Sequence, residues 1–317
     1  MEFLWLLGGI AGAGVLVLLI AYICFRLTFY VKRPEKVEEY AIPKGKIYEP
    51  YREQMVAWMK EVRAMPHEDV QTTSFDGLTL RGKYYEFSPD APIELMFHGY
   101  RGSADRDLCG GVQRCFKLGR SCLIVDQRTS GGSEGNVITF GINESRDCHS
   151  WLAFMAERFG PDARILLTGI SMGASTVMMA AGQPLPDTVV GVLADCGFTS
   201  AKAIICKVLR QIKMPPALVY PFIKLGAKLY GRFDLEEDSA LEAMTRCQVP
   251  VIFFHGEDDD FVPCDMSLEN YEACPTQKRL VTVPETGHGL CILKDKPGYY
   301  QNLREFFDPL LEAKKKV

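Results

Sequence analysis

Several things are missing from this chain, and each absence closes off a class of function. None of its eleven cysteines forms a Cys-x-x-Cys pair, so the spacing of a structural zinc site is absent and no metal is expected. No glycine-rich run ends in Gly-Lys-Ser/Thr, so a phosphate-binding loop and a nucleotide cofactor are not expected either. There is no basic excess. Lys and Arg number 36 against 40 Asp and Glu, a net charge of −4, which argues against nucleic acid as a main partner. Histidine is scarce, with five in 317 residues, so any imidazole chemistry falls on a short list. Internal repeats and low-complexity tracts are absent. The cysteines are odd in number and several sit in apolar runs, as Cys122 does in Ser121-Cys122-Leu123-Ile124-Val125. They read as buried free thiols of a reducing compartment, with a disulfide-stapled secreted enzyme as the competing reading.

Charge is also missing from Phe3 to Cys24. A helix of that length, rising ~1.5 Å per residue, is enough to span a hydrocarbon core of about 30 Å. Gly8, Gly9, Gly12 and Gly14 weaken a soluble helix but are common in membrane ones. Trp5 and Tyr22 suit the two interfaces. A cleaved signal peptide would carry Lys or Arg before an apolar core of roughly 7–15 residues. Here the run is longer, and Arg26, Lys32, Arg33 and Lys36 follow it instead. Residues 1–30 therefore read as a single-pass transmembrane anchor. The basic flank places the main domain on the cytoplasmic side. Residues 31–66 read as a linker (Pro34, Glu35, Lys36, Pro43, Gly45) followed by an amphipathic helix. Its apolar stripe is Tyr51, Met55, Trp58, Met59 and Val62, which packs on the domain rather than on the membrane.

From residue 67 the chain is long enough, with roughly 250 residues, for one domain with a full core. Runs at 68–74 and 79–87, separated by Phe75-Asp76-Gly77, predict an antiparallel hairpin. After Pro92 the pattern changes to unbroken apolar runs: Ile93–Phe97, Cys122–Val125, Ile165–Thr168, Val189–Ala194, Val251–Phe254 and Leu280–Val283. Runs without polar alternation suit strands covered on both faces, as in a parallel sheet between helix layers. Helices are expected near 104–118, 143–159, 172–182, 264–275 and 297–313. The segment 199–240 is too long for one crossover. It is apolar and broken by Pro215, Pro216 and Pro221, and reads as a helical cap over the carboxyl edge of the sheet. Two ordinary packed helices are the plainer alternative.

The chemistry centres on Gly169-Ile170-Ser171-Met172-Gly173, a Gly-x-Ser-x-Gly pattern between a strand run and a helical stretch. A serine hydroxyl needs a base, a group to orient that base, and donors for an oxyanion. His67 and His149 lie in an N-terminal segment and a helix, away from strand ends. His98 and His255 stand in His-Gly pairs that read as turn formers. His288, in Glu285-Thr286-Gly287-His288-Gly289 after the last strand run, is the candidate base. The acid should lie between Ser171 and His288. The loop His255-Gly256-Glu257-Asp258-Asp259-Asp260-Phe261-Val262-Pro263 offers three aspartates, and Asp195 offers a fourth. Spacing alone does not choose among them.

From about residue 90 to 313 the chain resembles the α/β-hydrolase superfamily, as a membrane-anchored serine hydrolase. The resemblance implies an α/β-hydrolase fold: a mostly parallel central sheet flanked by helices, with a small helical cap, here over 67–317. The family's acid loop often reads His-Gly-x-x-Asp-x-x-Val-Pro, which selects Asp259, with Val262 and Pro263 in place. Its oxyanion loop is similar to His98-Gly99-Tyr100-Arg101-Gly102-Ser103. That implies the amides of Tyr100 and Met172 as oxyanion donors. Arg101 is either a contact for an anionic substrate group or a plain surface arginine. The block Asp126 to Gly135 resembles the family's Asp-x-Arg-Gly-His-Gly-x-Ser-x-Gly loop, with Ser130 or a neighbour in place of a structural histidine. What the resemblance implies is a serine hydrolase acting on a small-molecule ester or thioester, with peptides as the alternative substrate. A non-catalytic lipid- or protein-binding scaffold is a third reading.

Overall fold

Strands and helices alternate regularly because their apolar residues come in two periods. The computed structural model describes residues 1–32 and 38–315. Arg33, Pro34, Glu35 and Lys36, read above as basic flank and linker, lie outside the described residues. The chain opens with α1 (Glu2–Thr28), then a 3₁₀ turn over Lys46–Tyr51 and α2 (Arg52–Ala64). The amphipathic helix expected within residues 31–66 is thus preceded by a separate 3₁₀ turn. Pro50 has no N–H to continue an α-helical ladder, and the α-helix begins only after it. A hairpin of β1 (Glu68–Thr73) and β2 (Thr79–Tyr85) leads into β3 (Ile93–Phe97), α3 (Ala104–Asp107), α4 (Cys109–Lys117) and β4 (Ser121–Asp126). Then follow α5 (Ile142–Phe159), β5 (Ile165–Ile170), α6 (Met172–Ala181) and β6 (Val189–Asp195). The segment 199–240 holds α7 (Ala201–Gln211), α8 (Pro216–Gly226) and a π-turn over Ala227–Gly231. The chain closes with α9 (Ala240–Arg246), β7 (Val251–Gly256), α10 (Cys264–Ala273), β8 (Lys278–Val283), α11 (Cys291–Lys294) and α12 (Lys296–Lys315).

The eight strands form one sheet in the order β1-β2-β4-β3-β5-β6-β7-β8. The first two pairings, β1 with β2 and β2 with β4, are antiparallel, and the rest are parallel. Side chains of the central strands alternate between two helix layers, and both sides are buried. Leu95 and Phe97 of β3 join the layer built on α5 and α6, while Met96 faces α2 and α4. Val192 and Ala194 of β6 face the first layer, while Leu193 packs with Phe307 and Leu303 of α12. Within the amphipathic stripe, Trp58, Met59 and Val62 are buried against the α4 layer, so α2 packs on the domain.

A carboxylate sits at the centre of this sheet. Glu94 of β3 is fully buried between Arg114, Arg120 (2.8 Å) and the Thr168 hydroxyl (3.0 Å). Burial pushes its carboxyl up, but the two guanidinium charges outweigh that and hold it at about 2. All eleven cysteines are unpaired, and eight of them are buried.

The stretch Ala11–Thr28 of α1 is long and apolar enough to cross a bilayer, and only 11% of it is buried. That fraction comes from its last turns. Ala21, Phe25 and Phe29, spaced four apart, pack on α8 and on Phe140 and Phe233.

Candidate active site

One residue separates β5 from α6, and that residue is Ser171. Its backbone is held at φ 56° and ψ −120°, a conformation that costs a non-glycine residue about 1–3 kcal/mol. Its N–H donates to the Asp195 carbonyl on the neighbouring strand at 2.8 Å. The turn can be this tight only because the flanking residues lack side chains. A Cβ on Gly169 would lie 2.1 Å from the Gly173 carbonyl oxygen, and one on Gly173 would lie 2.1 Å from that of Phe97. The helix behind is buried on every side, so it is fixed by the core and by the Ser175 hydroxyl, which donates to the Phe198 carbonyl at 3.0 Å.

Three side chains from three loops meet at this turn. His288, in the loop after β8, has Nε2 2.8 Å from Ser171 Oγ and Nδ1 2.6 Å from Asp259 Oδ2. The carboxylate accepts from Nδ1–H, which leaves Nε2 to accept from the serine hydroxyl. Asp259 Oδ1 accepts the N–H groups of Phe261 (2.9 Å) and Val262 (2.8 Å). Burial pushes this carboxyl up, but hydrogen bonds from His255 and His288, the His288 charge and the Val262 N–H outweigh it. They hold it well below the usual carboxylate range. Asp258 and Asp260 are exposed. Asp195 turns away to accept from the Tyr299 hydroxyl at 2.9 Å. Of the four carboxylates left open by spacing, Asp259 is the one bonded to His288 among the described residues.

His255 does more than shape a turn. Its Nε2–H donates to the Val262 carbonyl (2.8 Å) and lies 3.2 Å from Asp259 Oδ2, while the Ser267 hydroxyl donates to Nδ1 (2.6 Å). The imidazole thus bridges the strand end, the helix behind it and the carboxylate. Cys196 was not singled out from sequence. It sits at φ 48° just after β6, with Sγ 4.0 Å from His288 Nε2. Burial pushes its thiol up, so it remains neutral. Cys196, Asp259 and His288 have donor atoms within 4.8 Å of one another, the spacing a metal ion would need. Two of these three residues, Asp259 and His288, are already joined by a hydrogen bond.

The loop after β3 runs alongside the serine. A Cβ on Gly99 would lie 3.8 Å from Ser171 Oγ, an ordinary contact. His98 Nε2 accepts from the Gln127 N–H (3.0 Å), so Nδ1 carries the proton that reaches the Gly99 carbonyl (2.8 Å). The Gln127 side chain donates to the His98 carbonyl at 2.6 Å. Met172 opens α6, and the first N–H groups of a helix have no acceptor within it. The Tyr100 ring packs on Phe140 and its hydroxyl donates to the Thr28 carbonyl at 2.7 Å. Arg101 is an exposed arginine. Its guanidinium donates to the carbonyls of Leu27 (2.9 Å) and Tyr30 (3.2 Å), capping the end of α1.

In the nearby block from Asp126 to Gly135, an arginine is held by a buried carboxylate. Arg128 forms a two-pronged ion pair with Asp147, at 2.7 Å on both prongs, and reaches Asp76 as well. The site is closed over. Ser171 is 7% exposed and His288 8%. The 3₁₀ turn from the N-terminal segment lies against the histidine loop, with Ile47 over Gly287. Helix α7 reaches the loop that holds Asp259, where Gln211 donates to the Asp260 carbonyl at 2.7 Å.

The fold places this arrangement among known proteins. The esterase Pf2001 of Pyrococcus furiosus superposes with a TM-score of 0.65 over 89% of this chain and all of its own, at 19% identity. The acylaminoacyl peptidase of Pyrococcus horikoshii does so with a TM-score of 0.57 over 80% of this chain and 43% of its own, at 18% identity. The chain has the α/β-hydrolase fold. In sequence it is 28% identical to the uncharacterized protein YqkD of Bacillus subtilis over 62% of this chain and 65% of that one. It is 25% identical to the protein bem46 of Schizosaccharomyces pombe over 76% of this chain and 77% of that one. No family model matches it. Likeness at this distance speaks for the fold and leaves the substrate open.

Proposed function

We propose that this protein is a serine hydrolase that cleaves carboxylic ester or thioester bonds through an acyl-enzyme. The observation that carries the reading is the hydrogen-bonded series Ser171–His288–Asp259, at 2.8 and 2.6 Å, on a strained strand-to-helix turn. Ser171 Oγ attacks the acyl carbon, and its proton passes to His288 Nε2. The imidazolium is held by Asp259. The oxyanion sits against the N–H groups of Tyr100 and Met172. Collapse of the tetrahedral intermediate breaks the bond to the leaving group, which takes the proton from His288. Water then repeats the sequence on the acyl-serine and releases the acid. Peptide cleavage is the second reading, and the peptidase among the structural neighbours favours keeping it.

In this reading α1 is a retained anchor in the membrane, and the hydrolase domain lies on the cytoplasmic side. The apolar segment 199–240, which reaches the acid loop through Gln211, suits an acyl chain. The test is labelling by a fluorophosphonate, combined with esters of graded chain length and the matching aminoacyl amides. Labelling and ester turnover are expected in the native chain, and both are lost in Ser171→Ala, with a rate fall of about 10⁶. Undiminished labelling of Ser171→Ala would end the proposal. Faster turnover of the amides than of the esters would move the reading to a peptidase.

A further inference from the structure

Between Ala201 and Phe233 the chain carries seven lysines and arginines and not one aspartate or glutamate. Such a segment is out of keeping with a chain whose net charge is −4. Two of the seven, Lys202 and Lys224, are tied to Glu236. Arg210, Lys213, Lys228 and Arg232 stand exposed. Large apolar side chains are interleaved with them. Leu218 is 65% exposed, Ile212 59% and Leu229 46%, the kind of surface a folded domain normally covers.

This surface is continuous with α1. The Tyr230 hydroxyl of the π-turn donates to the Leu18 carbonyl at 3.1 Å, and its ring meets Tyr22 edge-on at 5.2 Å. Gly226 lies so close that a Cβ there would be 2.5 Å from the Ala21 carbonyl oxygen. The cap therefore runs beside the second half of the apolar span rather than below it. The free face of that half is apolar too: Leu19 and Ile23 are exposed, and Leu27 is 71% exposed. At 27 residues α1 is ~40 Å long, more than the ~30 Å of a hydrocarbon core. Its last turns, and the cap packed on them, therefore fall at headgroup depth. Tyrosine and arginine favour that depth, and Arg26 lies over the Tyr30 ring at 3.8 Å.

We infer that the basic, apolar cap, residues 201–233, docks on the surface of a bilayer containing anionic phospholipid, next to the inserted α1. The inference rests on the reading of α1 as a bilayer span and is independent of the catalytic reading. The apolar side chains enter the headgroup boundary, and the four exposed cations sit among lipid phosphates. Each cation near such a surface strengthens attachment about fivefold. Because the cap also touches the acid loop through Gln211, docking holds the roof of the site against the membrane.

The experiment uses the full chain in nanodiscs of phosphatidylcholine, with and without phosphatidylglycerol, and reads backbone hydrogen exchange. Exchange over 208–232 should slow several-fold when the anionic lipid is present and recover in high salt. The variant Arg210→Glu/Lys213→Glu/Lys228→Glu/Arg232→Glu should lose that protection while exchange in the central strands is unchanged. Equal exchange over 208–232 in both lipids overturns the inference, and the wild-type comparison decides this even where the variant fails to fold. Protection of residues 2–17 and resistance to alkaline extraction report the anchor separately. Fluorophosphonate labelling of the same samples reports the hydrolase reading separately.

Discussion

Asp258, Asp259 and Asp260 are chemically identical, and only the fold distinguishes them. The turn after β7 buries the middle one against two backbone N–H groups and two imidazoles and leaves its neighbours in water. Asp259→Asn is therefore expected to lower ester turnover by about 10⁴, because the amide no longer holds the imidazole in its working tautomer. Asp258→Asn and Asp260→Asn should stay within about twofold, as surface changes do. Steady-state rates on one activated ester for all three purified variants check this, and an equal loss in Asp258→Asn would remove Asp259 from its role. The serine and the histidine were legible because each follows a strand run in a recognisable setting. The aspartate needed the family pattern, since three carboxylates in a row share one local signal. Cys196 and the bridging role of His255 were not legible. Their partners lie on other strands, and only the sheet order brings them together.

Among the elements, the parallel strands were the most readable, because burial on both faces writes a continuous apolar run. Even there one letter was misleading. Glu94 sits inside such a run, and its two arginines lie 20 and 26 residues away, so nothing local explains a buried charge. The packing of α1 on the cap was hidden for the opposite reason. Nearly every position of α1 is apolar, so the buried stripe of Ala21, Phe25 and Phe29 does not stand out by periodicity. Its contribution can be measured. Phe29 is fully buried between Phe140 and Phe233, and Phe29→Ala should cost about 3–5 kcal/mol. Thermal unfolding in detergent would read this as a lowered midpoint, whereas an unchanged midpoint would mean that α1 does not pack on the cap in solution.

At the scale of the whole molecule, stability should depend on acid through the sheet centre. The carboxyl of Glu94 titrates at about 2 in the folded chain, below its ordinary value near 4.5. Such a group contributes stability that is fully present above pH ~4.5 and is lost as pH falls toward about 2. Glu94→Gln leaves the buried Arg114 guanidinium without its counter-charge and Arg120 with Asp308 alone, at 3.3 Å, and should cost about 3–5 kcal/mol at neutral pH. It should also flatten the acid limb of a stability–pH curve measured by urea unfolding, and a limb of unchanged slope would assign the acid sensitivity elsewhere. The grip of Tyr100 and Arg101 on the end of α1 has its own consequence for processing of the chain. A protease cutting just after Tyr30 would pull Phe25 and Phe29 out of the interior. It would also leave the Tyr100 hydroxyl and the Arg101 guanidinium without their acceptors. Any shortened form would thus carry a hollow beside the very loop that borders Ser171, filled by water or detergent where two phenyl rings had been.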